Sequence, residues 1–188
     1  MSQAKDLFAR AVSEFDRRVK QVEPSQWSDP TPCTEWSVRD LVNHLVYENK
    51  WAPPILAGKT IEEVGDAFDG DLLGDDPKTV WIGAAQESID AVEQEGTEER
   101  TVHVSSGDIP GRHYISQLLC DHVIHSWDLA RAIRDDARLD PELVTFVYEY
   151  LEPQAQGWRA AGAFGPEVQV DPQADLQTKL LALAGRQA

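Results

Sequence analysis

One stretch of the sequence constrains the fold more than any other: residues 112–135, RHYISQLLCDHVIHSWDLARAIRD. Its apolar residues recur at three- and four-residue steps and occupy nearly every face of a helix, which predicts a central, buried helix. Three polar groups, Asp121, His122 and His125, interrupt this apolar surface. Because a buried carboxylate without a partner is very unfavourable, the fold must provide Asp121 with a cation or a hydrogen-bond donor.

Asp121 and His125 share one face of this helix, because residues four apart point in nearly the same direction. A carboxylate and an imidazole at this spacing are typical ligands of a divalent metal ion. A hydrogen bond between the two side chains explains the pair as well, and so does exposure of both to water at the edge of the helix. The spacing alone leaves these three interpretations open.

The composition indicates a folded globular protein with one domain that spans residues 1–188, because 41% of the residues are hydrophobic and six are Trp. The 17 basic and 33 acidic residues give a net charge of −16, which argues against nucleic acid and anionic membranes as partners. The sequence has two Cys, no signal-peptide pattern and no long apolar run. We therefore expect a cytoplasmic protein with reduced thiols.

Amphipathic periodicity and helix-capping residues predict further helices at residues 3–22, 37–56, 76–96, 140–161 and 176–184. Ser37 with Asp40 three positions later forms a capping-box-like start, whereas Pro53 and Pro54 are expected to break or kink the end of that helix. A short strand at residues 101–104 precedes the central helix. The sequence therefore predicts an all-α four-helix bundle with a short β piece and a small C-terminal extension.

His44 lies at the margin of the apolar stripe of the second predicted helix. An isolated His in this position is more often a hydrogen-bonded core residue than a ligand. Bundles, however, build metal sites from side chains on facing helices, so His44 is a candidate third ligand beside Asp121 and His125. Glu48, one turn further along, either pairs with His44 or is solvated.

Other residues near these motifs have two interpretations each. Asp128 either orients a ligand histidine as a hydrogen-bond acceptor, or caps a loop or pairs with Arg131 or Arg39. Arg131 and Arg112 either bind a substrate carboxylate or are ordinary surface residues. Cys33 is either a reactive thiol or a packed side chain. Arg131 and Asp128 are thus the candidate catalytic residues.

Several segments together resemble a known family. They are residues 29–36 (DPTPCTEW), 36–44 (WSVRDLVNH), 121–132 (DHVIHSWDLARA), 162–166 (GAFGP) and 180–186 (LLALAGR). As a combined pattern they resemble the actinobacterial branch of the DinB-like superfamily, the group related to mycothiol-dependent maleylpyruvate isomerase. The resemblance extends over nearly the whole chain.

The resemblance implies a four-helix bundle that binds a divalent metal, zinc or nickel, through His44, Asp121 and His125. Relatives usually have Glu or His at the position of Asp121. Because Asp is shorter, the resemblance implies a looser site here or a different metal. His122 lies outside the ligand pattern and is expected to pack nearby.

The activity that the resemblance implies is that of a metal-dependent thiol transferase or isomerase. A small-molecule thiol, mycothiol or a similar one, is activated and adds to an electrophile. The first alternative is a non-catalytic metal- or ligand-binding module, whose site a fourth ligand such as His122 or Glu48 would close. The second is a metal-dependent hydrolase, which needs a general base beside a water molecule. Related proteins also suggest a homodimer.

Overall fold

A computed structural model describes residues 3–33 and 35–188 and is mostly helical. The helices are α1 (Gln3–Gln21), α2 (Val38–Leu56), α3 (Ile61–Val64), α4 (Pro77–Glu93), α5 (Gly111–Ile133), α6 (Pro141–Leu151), α7 (Ala155–Ala160) and α8 (Leu176–Leu183). Two strands, β1 (Thr101–Val104) and β2 (Gly107–Pro110), form a hairpin immediately before α5. No helix in the described ranges is both long and apolar enough to cross a bilayer.

The four long helices pack as a bundle. Helix α5, the predicted central helix, contacts α1 and α2, and α4 contacts the same two helices from the other side. Each long helix thus has two long neighbours, which confirms the predicted all-α four-helix bundle.

The apolar stripes predicted from the sequence form the core of this bundle. The predicted stripe of α1 is buried throughout: Ala4, Phe8, Ala11, Val12, Phe15, Val19 and Val22. Burial of a Leu, Val or Phe side chain contributes about 1.5–3 kcal/mol, so such a stripe holds α1 against its neighbours.

The helix starts follow their capping residues. The Ser37 side chain accepts a hydrogen bond from the Asp40 backbone N–H, and the Asp40 carboxylate accepts one from the Ser37 N–H, so the capping box is complete. At the start of α4, the Asp76 side chain accepts a hydrogen bond from the Thr79 N–H. The predicted break at Pro53 and Pro54 is wrong, because α2 continues through both prolines to Leu56. Both lie in its last turns, where few hydrogen bonds are lost, and Ile55 and Leu56 are buried.

The hairpin fixes the start of α5. Strand β1 was predicted, and it pairs antiparallel with β2, which was not predicted. Immediately after β2, Gly111 lies so close to the backbone that a Cβ atom there would be 1.8 Å from the Thr97 carbonyl oxygen. Only Gly is compatible with this approach of α5 to the preceding loop.

The predicted helix at residues 140–161 is divided in the structure. Helix α6 ends at Leu151, a 3-10 turn follows at Glu152–Gln154, and α7 then begins at Ala155. Pro153 lies within that turn and lacks the N–H that a continuous helix would need.

Candidate metal centre

A cavity of about 1200 Å³ lies between α2, α5, the hairpin and the C-terminal segment. His44 and Glu48 of α2 line it from one side, and Asp121 and His125 of α5 line it from the other. The side chains that the sequence analysis selected from two different helices therefore face one open space.

The three predicted ligands converge at this cavity. Asp121 Oδ2 lies 2.9 Å from His44 Nε2, and Asp121 Oδ1 lies 3.2 Å from His125 Nε2. One ligand atom from each residue lies within 4.8 Å of the others. Tetrahedral zinc with bonds of about 2.1 Å places its donors roughly 3.4 Å apart. Two imidazoles and one carboxylate at these separations fit a zinc-like ion, and the same contacts also suit direct hydrogen bonds.

The electrostatics of Asp121 and His125 depend on each other. Burial alone would raise the pKa of Asp121, but His125 and His44 outweigh it and hold that pKa well below its usual range. Burial alone would lower the pKa of His125, but Asp121 and Asp128 outweigh it and raise that pKa well above its usual range. The site is therefore built for one positive charge between the carboxylates.

Asp128 orients His125. His125 Nδ1 lies 2.9 Å from Asp128 Oδ2, and Asp128 is fully buried. A proton on Nδ1 leaves the Nε2 lone pair directed at the ligand position, as in many metal sites. Of the partners considered for Asp128, the structure shows His125, whereas Arg39 pairs with Asp71; that Asp128 orients a metal ligand stays a prediction.

Arg186 closes this network from the C-terminal segment. Its Nη2 lies 2.9 Å from Asp128 Oδ2 and its Nε 3.3 Å from Oδ1. Gly185, with φ of 79°, ends α8 in a Schellman motif: its N–H donates to the Ala182 carbonyl, and the Arg186 N–H donates to that of Leu181. This turn brings Arg186 back to α5. The Gly185-Arg186 pair lies in segment 180–186, one of those on which the family resemblance rests, but the sequence predicts no role for it.

Cys33 touches the same network. Its Sγ lies 3.1 Å from Arg186 Nη2, 3.3 Å from Asp128 Oδ2 and 3.8 Å from His125 Nδ1. The side chain is half-buried and lines the cavity. Cys33 is therefore a polar neighbour of the candidate ligands as well as a packed residue.

Glu48 and Trp36 border the candidate ligands. Burial, and then the nearby Asp121 carboxylate, raises the pKa of Glu48 to about 7. The Trp36 ring lies 4.9 Å from the His44 ring and 5.9 Å from the His125 ring, between centroids. The cavity thus has a carboxyl group whose pKa burial raises, and an aromatic wall beside both imidazoles.

Comparison with known families identifies the chain's relatives. Residues 8–130 match the model of the mycothiol maleylpyruvate isomerase N-terminal domain. The chain belongs to this family. Uncharacterized proteins MT0763 and Rv0738 of two Mycobacterium tuberculosis strains are each 30% identical to it over 139 residues, which are 71% of this chain and 69% of theirs.

The fold of this family member is also that of a solved structure. The crystal structure of a histidine-to-alanine mutant of mycothiol-dependent maleylpyruvate isomerase matches it with a TM-score of 0.71, over 98% of this chain and 89% of that chain. The sequence identity is 14%, so this likeness shows the fold.

Two polar residues of α5 in this family member lie outside the cavity. His122 is buried in the core, where its Nδ1 donates to the Leu118 carbonyl at 2.7 Å and its ring meets Phe8 edge-on. Arg131 is exposed and stacks over Trp127, with its guanidinium carbon 5.6 Å from the ring centroid. His122 packs as expected, and the candidate catalytic role of Arg131 stays a prediction.

Proposed function

We propose that this protein is a metal-dependent thiol transferase or isomerase that joins a thiol of the mycothiol type to a small electrophile. The observation that carries the proposal is the convergence of His44, Asp121 and His125 within 4.8 Å at an open cavity. The family match, named for a mycothiol-dependent isomerase, supports the same reaction class.

These three residues would hold the ion, zinc or nickel, which when bound lowers the pKa of a thiol that approaches it. Asp128 keeps the His125 ring oriented, and Trp36 excludes water from one side of the site. Both functions need rigid partners, which Arg186 and the capped start of α2 provide.

Glu48 is the proposed proton carrier. Its carboxylate takes the proton from the thiol, the sulfur forms a bond to one carbon of an activated double bond, and the π electrons move to the neighbouring carbon. Glu48 then returns the proton to that carbon in a transferase. In an isomerase, rotation about the new single bond and departure of the thiolate restore the double bond, and Glu48 returns the proton to the sulfur. Burial raises the pKa of Glu48 above that of an exposed carboxyl group, which suits a group that both accepts and returns a proton.

The geometry favours a catalyst over a closed structural site. Among the described residues, neither His122 nor Glu48 belongs to the group of ligand atoms formed by His44, Asp121 and His125. Three protein ligands leave a position for a small molecule, which is the arrangement of catalytic zinc sites.

Elemental analysis of untagged protein tests the ligand assignment. We expect about one zinc or nickel ion per chain in the parent and almost none in His125→Ala and Asp121→Ala. His103→Ala is the matched control, because it removes an imidazole from the hairpin, where His103 pairs with Asp108. A parent that takes up no metal after reconstitution would refute the assignment.

A hydrolase is the second candidate, because Glu48 provides the general base that this reaction requires. Activity with and without mycothiol separates the two. A transferase or isomerase converts an activated alkene only when the thiol is present, whereas a hydrolase cleaves an ester without it. Ester cleavage that is independent of thiol, with no alkene conversion, would favour the hydrolase.

A further inference from the structure

The charges that line the cavity limit which electrophile this site can take. Within the proposed thiol chemistry, on which this step rests, we infer that the electrophile is a neutral unsaturated carbonyl compound, such as an ester, ketone or imide, and not a dicarboxylate.

The cavity has almost no positive charge to offer a substrate. Arg186 is the one basic residue, Lys or Arg, among the described residues that line the cavity. The three positions outside the described ranges, 1, 2 and 34, hold Met, Ser and Thr, so none of them adds a Lys or Arg. The Arg186 guanidinium is already occupied by both oxygens of Asp128, by the Ala184 carbonyl and by the Cys33 sulfur. Its charge is therefore neutralised within the protein.

The other ionisable groups of the lining do not supply the positive charge that a substrate carboxylate would need. Glu48 and Asp121 carry a negative charge or none, and both face the cavity. His44 and His125 are neutral when they hold a metal ion. A divalent ion beside Asp121 retains one positive charge, which ionisation of the thiol offsets. The remaining imidazole of the lining, His113, is exposed to water in the first turn of α5.

A dicarboxylate would be poorly bound in such a lining. Maleylpyruvate, the compound after which the structurally similar isomerase is named, carries two carboxylates at neutral pH. Proteins bind carboxylates with free Arg or Lys side chains, often through two hydrogen bonds at once. Placing two anions beside Glu48 and Asp121 without such partners is strongly unfavourable.

The outer part of the cavity suits a neutral molecule instead. Gln117 lies one turn before Asp121 on α5 and lines the cavity, as does Gln154, whose Nε2 donates one of its two N–H groups to the Tyr150 carbonyl. Trp158 and Phe164 stack at 6.0 Å and form an apolar wall. Amide side chains donate to uncharged carbonyl oxygens, and aromatic rings cover apolar substituents, so these groups match an ester or ketone on an unsaturated carbon chain.

Matched neutral and charged compounds test the inference in two ways. The first measurement is thiol addition to dimethyl maleate and to the maleate dianion, each divided by its rate without protein. The second is binding of the unreactive pair dimethyl succinate and succinate to the metal-loaded protein saturated with the thiol, followed by the fluorescence of Trp36 and Trp158, which line the cavity. Binding is read independently of turnover.

Charge variants make the test specific. Gln117→Arg adds a cation to the cavity, and Gln86→Arg adds the same charge on the exposed face of α4. We expect the parent and Gln86→Arg to prefer the diester over the dianion by about tenfold or more in both measurements. Gln117→Arg should reduce or invert this preference.

The outcomes separate this inference from the proposed function. A parent that binds succinate as tightly as its diester, or binds neither, overturns the neutral class even if the protein transfers thiols. A larger rate enhancement for the maleate dianion than for dimethyl maleate also overturns the neutral class. Tighter diester binding with no thiol addition supports the neutral class and refutes the proposed function. Equal responses of Gln117→Arg and Gln86→Arg would show that the cavity lining does not set the preference.

Discussion

Two histidines three residues apart on α5 lie in opposite surroundings. His122 faces the core, where Phe8, Phe15 and Trp81 surround its ring. His125 faces the cavity, where Asp121 and Asp128 flank its two nitrogens. Both side chains are nearly inaccessible to water. The difference is therefore in their partners and not in their burial.

This comparison shows what burial does to an imidazole. Without carboxylate contacts, burial lowers the pKa of His122 to about 4, so this ring stays neutral. With two carboxylates, the pKa of the equally buried His125 rises well above its usual range. The helix thus has an apolar side that stabilises the bundle and a polar side prepared for a cation.

The largest expected effect separates the two histidines by metal affinity. If three ligands share a binding free energy of about 12 kcal/mol, His125→Ala should lose roughly 4 kcal/mol, a thousandfold in zinc affinity. His122→Leu should retain the parent affinity within about tenfold, because His122 contributes no ligand. Competition with a fluorescent zinc chelator measures both. Equal losses in the two variants would contradict the division of α5 into two sides.

The next effect concerns the cation that supports the polar side. Arg186→Met should lower the free energy of unfolding by about 4 kcal/mol, because it leaves the buried Asp128 carboxylate without its guanidinium partner. Arg131→Met, which removes an exposed guanidinium from the Trp127 ring, should cost less than about 1 kcal/mol. Urea unfolding of the metal-free proteins measures both values. Similar losses would mean that the Arg186 pair contributes no more than a surface contact.

The two sides also differ in how far the sequence predicts them. Periodic stripes and capping residues such as Ser37 act locally, so the bundle follows from them. The prediction grouped His44 with Asp121 and His125 for two reasons. Metal sites of bundles are built from facing helices, and the family resemblance implies the same three ligands. Arg186 reaches Asp128 across 58 positions of the chain. No local pattern encodes that approach, since it depends on how α8 and its Schellman turn pack.

A smaller effect tests the apolar side through pH. The pKa of His122 is about 4 when folded, against 6.5 in an exposed His. Between these values the unfolded chain binds a proton that the folded chain does not, so stability falls as the pH decreases from about 6.5 to about 4. The contribution is about 3 kcal/mol.

The contribution of His122 to stability is measured by urea unfolding in the presence of EDTA, at pH 7 and at pH 4.5, for the parent and for His122→Leu. Other groups titrate equally in both proteins, so the difference between their pH dependences isolates His122. The parent should lose more stability than the variant. Identical pH dependences would show that His122 is solvated or protonated in the folded state.

The smallest effect is on the orientation of His125. Asp128→Asn keeps the shape of the side chain but removes its negative charge, which should weaken zinc binding by about 10- to 100-fold, since partners that orient a ligand histidine typically contribute this much. Asp135→Asn is the matched control, because Asp135 pairs with Arg17 at the surface.

Nitrogen-15 NMR of the imidazoles adds a measurement that loss of stability alone would not change. In the metal-free parent both nitrogens of His125 should be protonated at neutral pH, because Asp121 and Asp128 outweigh burial and raise its pKa well above the usual range, and Asp128→Asn should lower that pKa. An unchanged pKa of His125 with unchanged zinc affinity would mean that α5 alone orients His125, and that the carboxylate beside it serves Arg186 only.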